Sequence, residues 1–260
     1  MNKNLTEMVF ILDRSGSMSH LETDTIGGYN SLLEKQKKEQ GEATVTTVLF
    51  DDKYEIIHDH ADIKKVNPLT DREYFARGST ALLDAIGKTI NHVGHRHKYA
   101  PDNEIPQKTM VVIITDGFEN ASREFSQPQV KSMIEHQKER YGWEFLFLGA
   151  NIDAVSTARN YGIAPDRAVK YEPDSVGTRT NFKAVSETVS CVREARPIAA
   201  NWKIDIEEHL RKKNRQEQIW DMPYMVYPYF EKFMDLYLHF SYYVLKCNRV
   251  IVYMSLFGIK

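Results

Sequence analysis

Met8-Val9-Phe10-Ile11-Leu12-Asp13-Arg14-Ser15-Gly16-Ser17 is the stretch from which the rest of the chain can be read. Residues 8–12 are continuously apolar with no alternation, which suits a strand buried on both faces, as in a parallel sheet covered by helices. The run stops at an acid and passes into a polar, glycine-containing turn. The same shape recurs at residues 44–50 (TVTTVLF), 110–115 (MVVIIT) and 143–148 (WEFLFL), each rich in β-branched or aromatic residues and each followed by a turn-like cluster.

Helix-length stretches separate these runs. Ser19 with Glu22 three residues later has the form of a capping box, opening a helix that carries Ile26, Tyr29, Leu32, Leu33 and Gln36 before Gly41 stops it. Gly27 and Gly28 inside it each cost about 1 kcal/mol relative to Ala, so close packing is expected there. Residues 81–93 place Leu82, Ala85, Ile86, Thr89, Ile90 and Val93 at helical spacing. Further helices are expected at 129–140, 152–161 and 181–193, and the polar, proline-containing stretch 94–108 as a surface loop. Strands alternating with such helices predict βαβ units and a mostly parallel sheet, whose ligands sit outside the carboxyl ends of the strands.

The chain has 260 residues and a net charge of −2, with 34 Lys and Arg against 36 Asp and Glu. That length allows one large domain or one plus an appendage; the division expected is a domain over 1–200 and a charged linker with an aromatic-rich extension over 201–260. Only Cys191 and Cys247 are present, which excludes a disulfide scaffold, and the polar start (MNKNLTE) lacks the pattern of a secretory leader, so a cytoplasmic setting is expected. Near-neutral charge argues against a nucleic-acid partner. Residues 219–260 hold 12 of the 29 aromatic residues, yet Asp221, Glu231, Lys232, Asp235, Lys246 and Arg249 interrupt any membrane-spanning run. The tail, with Tyr224, Tyr227, Tyr229, Phe230, Phe233, Tyr237 and Phe240, is expected to cover the sheet domain or to serve as a self-association surface.

The chemistry concentrates at three points. Asp13, Ser15 and Ser17 form D-x-S-x-S at the end of the first strand; Thr80 precedes a helix; Asp116 follows an apolar strand in Thr115-Asp116-Gly117. In a parallel sheet these loops share one rim. Two carboxylates and three hydroxyls there are hard oxygen donors of low total charge, which suits Mg²⁺ or Mn²⁺ better than Zn²⁺.

These three dispersed motifs, in this order, resemble the metal-ion-dependent adhesion site of von Willebrand factor type A domains, over roughly residues 5–195. The resemblance implies a Rossmann-like, doubly wound α/β fold with a mostly parallel central sheet of about six strands, one antiparallel edge strand and helices on both faces. Residues 54–58 (YEIIH) would be that edge. It implies Ser15, Ser17 and Thr80 as direct ligands of Mg²⁺, Asp13 and Asp116 as ligands directly or through water, and an open position for an acidic side chain of a protein partner. Ser79 stands where many relatives carry Gly, and nothing in the family pattern explains the aromatic tail.

Competing assignments are weaker. A metal-dependent hydrolase or phosphotransferase using Ser15 or Asp13 needs a general base, and His20 is the nearest candidate, without an evident carboxylate partner. His92, His95 and His97 fit neither usual zinc spacing. Asp51 and Asp52 read as a hairpin turn, residues 147–151 (FLGAN) as a strand-to-helix turn capped by Asn151 rather than a nucleotide loop, and Lys35, Lys37, Lys38 and Glu39 as a solvated helix end. No enzymatic activity is expected.

Overall fold

Uninterrupted apolar runs give strands that must be covered on both sides, and this requirement sets the architecture. The computed structural model describes residues 2–220. Six strands, β1 (Asn2–Asp13), β2 (Glu42–Phe50), β3 (Tyr54–Asp62), β4 (Pro106–Thr115), β5 (Glu144–Gly149) and β6 (Ala168–Lys170), form one sheet in the order β3-β2-β1-β4-β5-β6. All neighbours are parallel except β2 and β3, which pair antiparallel across a tight turn. The helices are α1 (Glu22–Gln36), α2 (Leu82–Tyr99), α3 (Gln127–Tyr141), α4 (Ala154–Asn160), α5 (Ser175–Arg193) and α6 (Ile204–Trp220).

Alternate residues of the central strands feed two cores. Met8, Phe10 and Leu12 of β1 join Tyr29, Leu32 and Leu33 of α1 and Phe182, Val185 and Val189 of α5. Val9 and Ile11 join Ile86 and Ile90 of α2, Val130 and Ile134 of α3, and Ala154 and Ala158 of α4. The chain steps outward from β1 to β2 through α1, then returns through α2 to the other side of β1 at β4. The loops after β1 and β4 therefore diverge above adjacent strands, the crevice where doubly wound sheets build their sites.

Several local expectations are corrected by tertiary contacts. The Ser19–Glu22 capping box does not form: a short 3-10 turn occupies Gly16–His20, Leu21 stands at the start of α1 without a side-chain cap, and Glu22 Oε1 instead accepts from Ala76 N at 2.5 Å. The expected loop at 94–108 is largely absent, because α2 continues to Tyr99 and β4 begins at Pro106. Its polar face is held by the buried Glu7, which accepts from Arg96 and, at 2.6 Å, pairs with His97. Helix α5 starts six residues earlier than its apolar periodicity suggests, with the Asp174 carboxylate accepting from Gly177 N at 2.7 Å. The three-residue β6 had no sequence signal of its own. Gly28 supports the packing expectation, since a Cβ there would lie 2.8 Å from Phe182 Cγ, whereas one on Gly27 would meet nothing within 4 Å.

The chain divides into two compact units, Met1–Lys213 and Asn214–Lys260. Within the first, α6 begins at Ile204 in the charge-dense stretch and buries Ile206 in the core. The aromatic tail lies outside the described residues beyond Trp220. Among the described residues no helix is long and apolar enough to cross a membrane.

Candidate metal centre

The five residues singled out in the sequence meet at the carboxyl-end rim. Asp13 ends β1, Thr80 precedes α2 and Asp116 follows β4; Asp13, Ser15, Thr80 and Asp116 are buried, while Ser17 is exposed and opens the group to solvent. Ser17 Oγ donates to Asp116 Oδ1, and the Ser15 and Ser17 hydroxyls are 3.1 Å apart. The position a side chain on Gly117 would take measures the convergence: its Cβ would lie 2.8 Å from Thr80 Oγ1, 3.2 Å from Ser17 Oγ and 3.6 Å from Ser15 Oγ. Only glycine leaves that point clear. Beside it, Asp116 Oδ2 is buried with no hydrogen-bond partner among the described residues. A buried carboxylate oxygen without a donor is unfavourable unless a cation meets it, so the residues fit a hard divalent ion.

The loops are braced around this point. Asp13 accepts from Ser15 N at 2.7 Å and from Thr115 Oγ1 at 2.5 Å, and its carbonyl accepts from the Tyr74 hydroxyl. Gly16 N donates to Gly78 O at 3.2 Å, and Gly78 takes φ +66° against the Asp52 carboxylate. Asn120 holds Thr80 in place, accepting from Thr80 N at 2.9 Å through Oδ1 and donating its own N–H to Thr80 O at 3.0 Å. Ser79, the departure from the family pattern, is exposed and leaves Thr80 in register.

Arg14, the unassigned residue inside D-x-S-x-S, is only 1% exposed. Its guanidinium donates to Asp51 Oδ2 at 3.1 Å, Glu55 Oε2 at 2.5 Å and Glu73 O at 2.9 Å, while Arg77 donates to the same Asp51 oxygen at 2.7 Å. Asp51 is thus more than a turn residue: it ties the first rim loop to the loop carrying Thr80. Burial raises its carboxyl, but Arg77, the Lys53 N–H and Arg14 hold it below the ordinary range.

The two carboxylates of the cluster show the opposite balance. Burial pushes Asp13 up to about 6 against the hydrogen bonds from Thr115 and Ser15, with the neighbouring charge of Asp116 adding to the rise. Burial likewise raises Asp116 despite the Ser17 bond. Two desolvated acids facing each other favour a positive counter-charge.

Thr115, Asn120, Tyr74, Arg14 and Gly117 were not singled out. Thr115 and Gly117 flank Asp116 in the quoted motif, but nothing local marks the others. The remaining candidates do not converge: His97 pairs with Glu7, His92 with Asp59 at 2.9 Å, and His95 packs on the Tyr99 ring at 4.6 Å. Among the described residues no group of three or more His, Cys, Asp and Glu side chains is placed to hold a metal ion, so any ion site here must use hydroxyls. His20 Nε2 meets the Pro173 carbonyl at 3.0 Å, and its charge acts to lower the nearby Asp116 carboxyl although the two are not hydrogen-bonded. The start of α4 is capped by Asp153, not Asn151.

No family model matches this sequence, and no curated protein matches it. Solved structures do. A variant of the PilB minor pilin from Streptococcus sanguinis is similar over 78% of this chain and 64% of its own, at 11% identity and a TM-score of 0.50. Proximal thread matrix protein 1 from the mussel byssus is similar over 72% and 46%, at 15% identity and a TM-score of 0.49. A von Willebrand factor type A protein from Catenulispora acidiphila is similar over 73% and 43%, at 13% identity and a TM-score of 0.47. This chain spans less than two thirds of the length of each. With its six-stranded order, its single antiparallel edge and helices on both faces, the sheet domain of this chain has the fold of a von Willebrand factor type A domain.

Proposed function

We propose that the chain is a divalent-metal-dependent protein-binding module, with Asp13, Ser15, Ser17, Thr80 and Asp116 holding Mg²⁺, or Mn²⁺, and a partner protein presenting an Asp or Glu carboxylate. The observation that carries this is the convergence of three hydroxyl oxygens around one point beside the unpartnered Asp116 Oδ2. An ion bound there supplies an electrophilic position for an incoming carboxylate, because neutral hydroxyls leave more of its charge unquenched than a cage of acids would. The chain's own residues do the positioning. Thr115 and Ser15 N–H orient Asp13, Asn120 fixes Thr80, and the Arg14–Asp51–Arg77 bridge holds the two loops at a fixed separation. Ser17 is exposed, which supports an approach of the partner from its side.

The hydrolase alternative would need His20 as its base, and His20 Nε2 is engaged by the Pro173 carbonyl. A cytoplasmic setting belongs to the same reading, and self-association through residues 219–260 is a separate role for the extension. The test is calorimetric titration of Mg²⁺ and Mn²⁺ into EDTA-stripped protein, beside the double variant Asp13→Ala, Asp116→Ala, with thermal unfolding of both. Saturable binding that vanishes in a folded variant supports the site. Absence of binding in the wild type refutes it.

A further inference from the structure

Beside the five-residue cluster lies a cavity of about 420 Å³, bounded by the β2–β3 turn, the segment that leads into α2 and the loop after β4. Gly78, Ser79 and Ala81 line it, so both chain neighbours of Thr80 form its wall, while Thr80 Oγ1 itself belongs to the cluster with Ser15 and Ser17. Successive Cα atoms are about 3.8 Å apart, and the wall therefore begins one residue away from a candidate ligand. The segment is held in this position from both sides: Ala81 N donates to Asp51 O at 2.9 Å, and Ala121 N donates to Thr80 O at 3.2 Å.

The lining carries the acids Asp52, Asp84 and Glu124 and the cations Lys53, Lys88 and Arg123, and the two sets are not equally free. Asp84 accepts at both oxygens, from Arg123, Glu124 and Phe125 N–H at 2.9 Å each, and Glu124 pairs with Lys88 at 2.7 Å. Asp52 lies against Gly78, and its charge acts on Arg77. Lys53, on the β2–β3 turn, and Arg123, on the loop after β4, are exposed, and their side chains make no ion pair or hydrogen bond among the described residues; neither does the Ser79 hydroxyl. A cavity whose remaining donors are two cations and a hydroxyl is complementary to an anion, and it adjoins a centre that itself suits an incoming carboxylate. Complementary charge at the border of a contact steers encounter and discriminates between partners.

We propose that the partner segment captured at this rim is di-acidic: one carboxylate enters the metal centre and a second enters the cavity beside Thr80, where Lys53, Arg123 and the Ser79 hydroxyl receive it; this rests on the carboxylate-capture function above. An extended chain advances about 3.3 Å per residue, and the cavity shares residues 78–81 with the centre. One short stretch of partner, its two acids within about four residues of each other, therefore supplies both groups. Ser79 gains a role in this arrangement, because the glycine that stands there in many relatives would bring no donor to the cavity.

The experiment is selection of displayed random dodecapeptides on the full-length chain in Mg²⁺, with elution by EDTA. The expected pool carries two acids within about four residues of each other. In a synthetic consensus peptide, replacing one acid by its amide abolishes binding to the wild type, and replacing the other weakens it at least about fivefold. The double variant Lys53→Glu, Arg123→Glu weakens the di-acidic peptide by at least the same factor while its calorimetric Mg²⁺ binding is unchanged, and it does not discriminate against the weaker amide peptide; Lys53→Ala with Arg123→Ala is the neutral form of the same test. An EDTA-eluted pool with a single acid, or a di-acidic consensus that binds the charge-altered proteins like the wild type, overturns this inference and leaves carboxylate capture standing. Mg²⁺ binding with no EDTA-elutable pool overturns capture itself, and the inference with it.

Discussion

Gly117→Ala tests the hydroxyl cluster with a single methyl group. Gly117 has no positive φ, so Ala brings no backbone strain, and the effect comes from where the Cβ lands: 2.8 Å from Thr80 Oγ1, 3.2 Å from Ser17 Oγ and 3.6 Å from Ser15 Oγ. Ordinary carbon–oxygen contact begins near 3.4 Å. Thr80 Oγ1 must therefore retreat by about 0.6 Å and Ser17 Oγ by about 0.2 Å, against the tolerance of about 0.2 Å that a metal–ligand distance allows. One ligand is lost and a second weakened. Losing a group that merely orients a ligand reduces metal affinity about 10–100-fold, so loss of a ligand itself should cost at least that, about 1.4–2.7 kcal/mol. The assay is calorimetric titration of Mg²⁺ into stripped wild type, Gly117→Ala and, as a control whose added methyl meets nothing within 4 Å, Gly27→Ala. Gly117→Ala should remain folded and lose at least tenfold in affinity while Gly27→Ala matches the wild type. Unchanged affinity in a folded Gly117→Ala protein would show that the ion, if bound, sits elsewhere.

Three further outcomes follow from the packing and charge around the site. Gly27→Ala should raise stability by about 0.5–1 kcal/mol through helix propensity, whereas Gly28→Ala should lower it by about 1–3 kcal/mol by driving a Cβ into the Phe182 ring; thermal unfolding of the pair checks the sign of each, and equal shifts would contradict the α1–α5 packing. Burial raises the Glu7 carboxyl, but bonds from His60 and His97 and the Arg96 charge bring it down to about 2 from 4.5. Its contribution, about 3 kcal/mol by linkage, is present above pH 4.5 and lost as pH falls toward 2; urea unfolding across that range should show the loss in the wild type and a much flatter profile in Glu7→Gln. Asp51→Ala leaves the buried Arg14 charge with Glu55 as its remaining carboxylate, which should cost about 1–3 kcal/mol; a loss below 1 kcal/mol in denaturant titration would mean that Glu55 and the Glu73 carbonyl suffice.

The sequence by itself determined the strand and helix alternation, because runs such as residues 8–12 and 110–115 are short, apolar without alternation and bounded by turn residues, which suits strands buried on both faces. It also brought Asp13, Ser15, Ser17, Thr80 and Asp116 to one rim, since parallel strands send their carboxyl ends, and the helix leading into the next parallel strand its start, to the same edge. It could not place residues whose role comes from partners distant in the chain. Tyr74 and Asn120 look like ordinary loop residues until their bonds to Asp13 O and Thr80 are seen, and Arg14 is only the unassigned residue inside D-x-S-x-S although three acceptors bury it. The same holds for the end of α2, where a polar stretch is helical because Glu7 of β1 is waiting for Arg96 and His97. Local periodicity records which face a residue buries, but a hydrogen bond between residues 40 or 90 positions apart leaves no trace in spacing, and only the folded chain decides it.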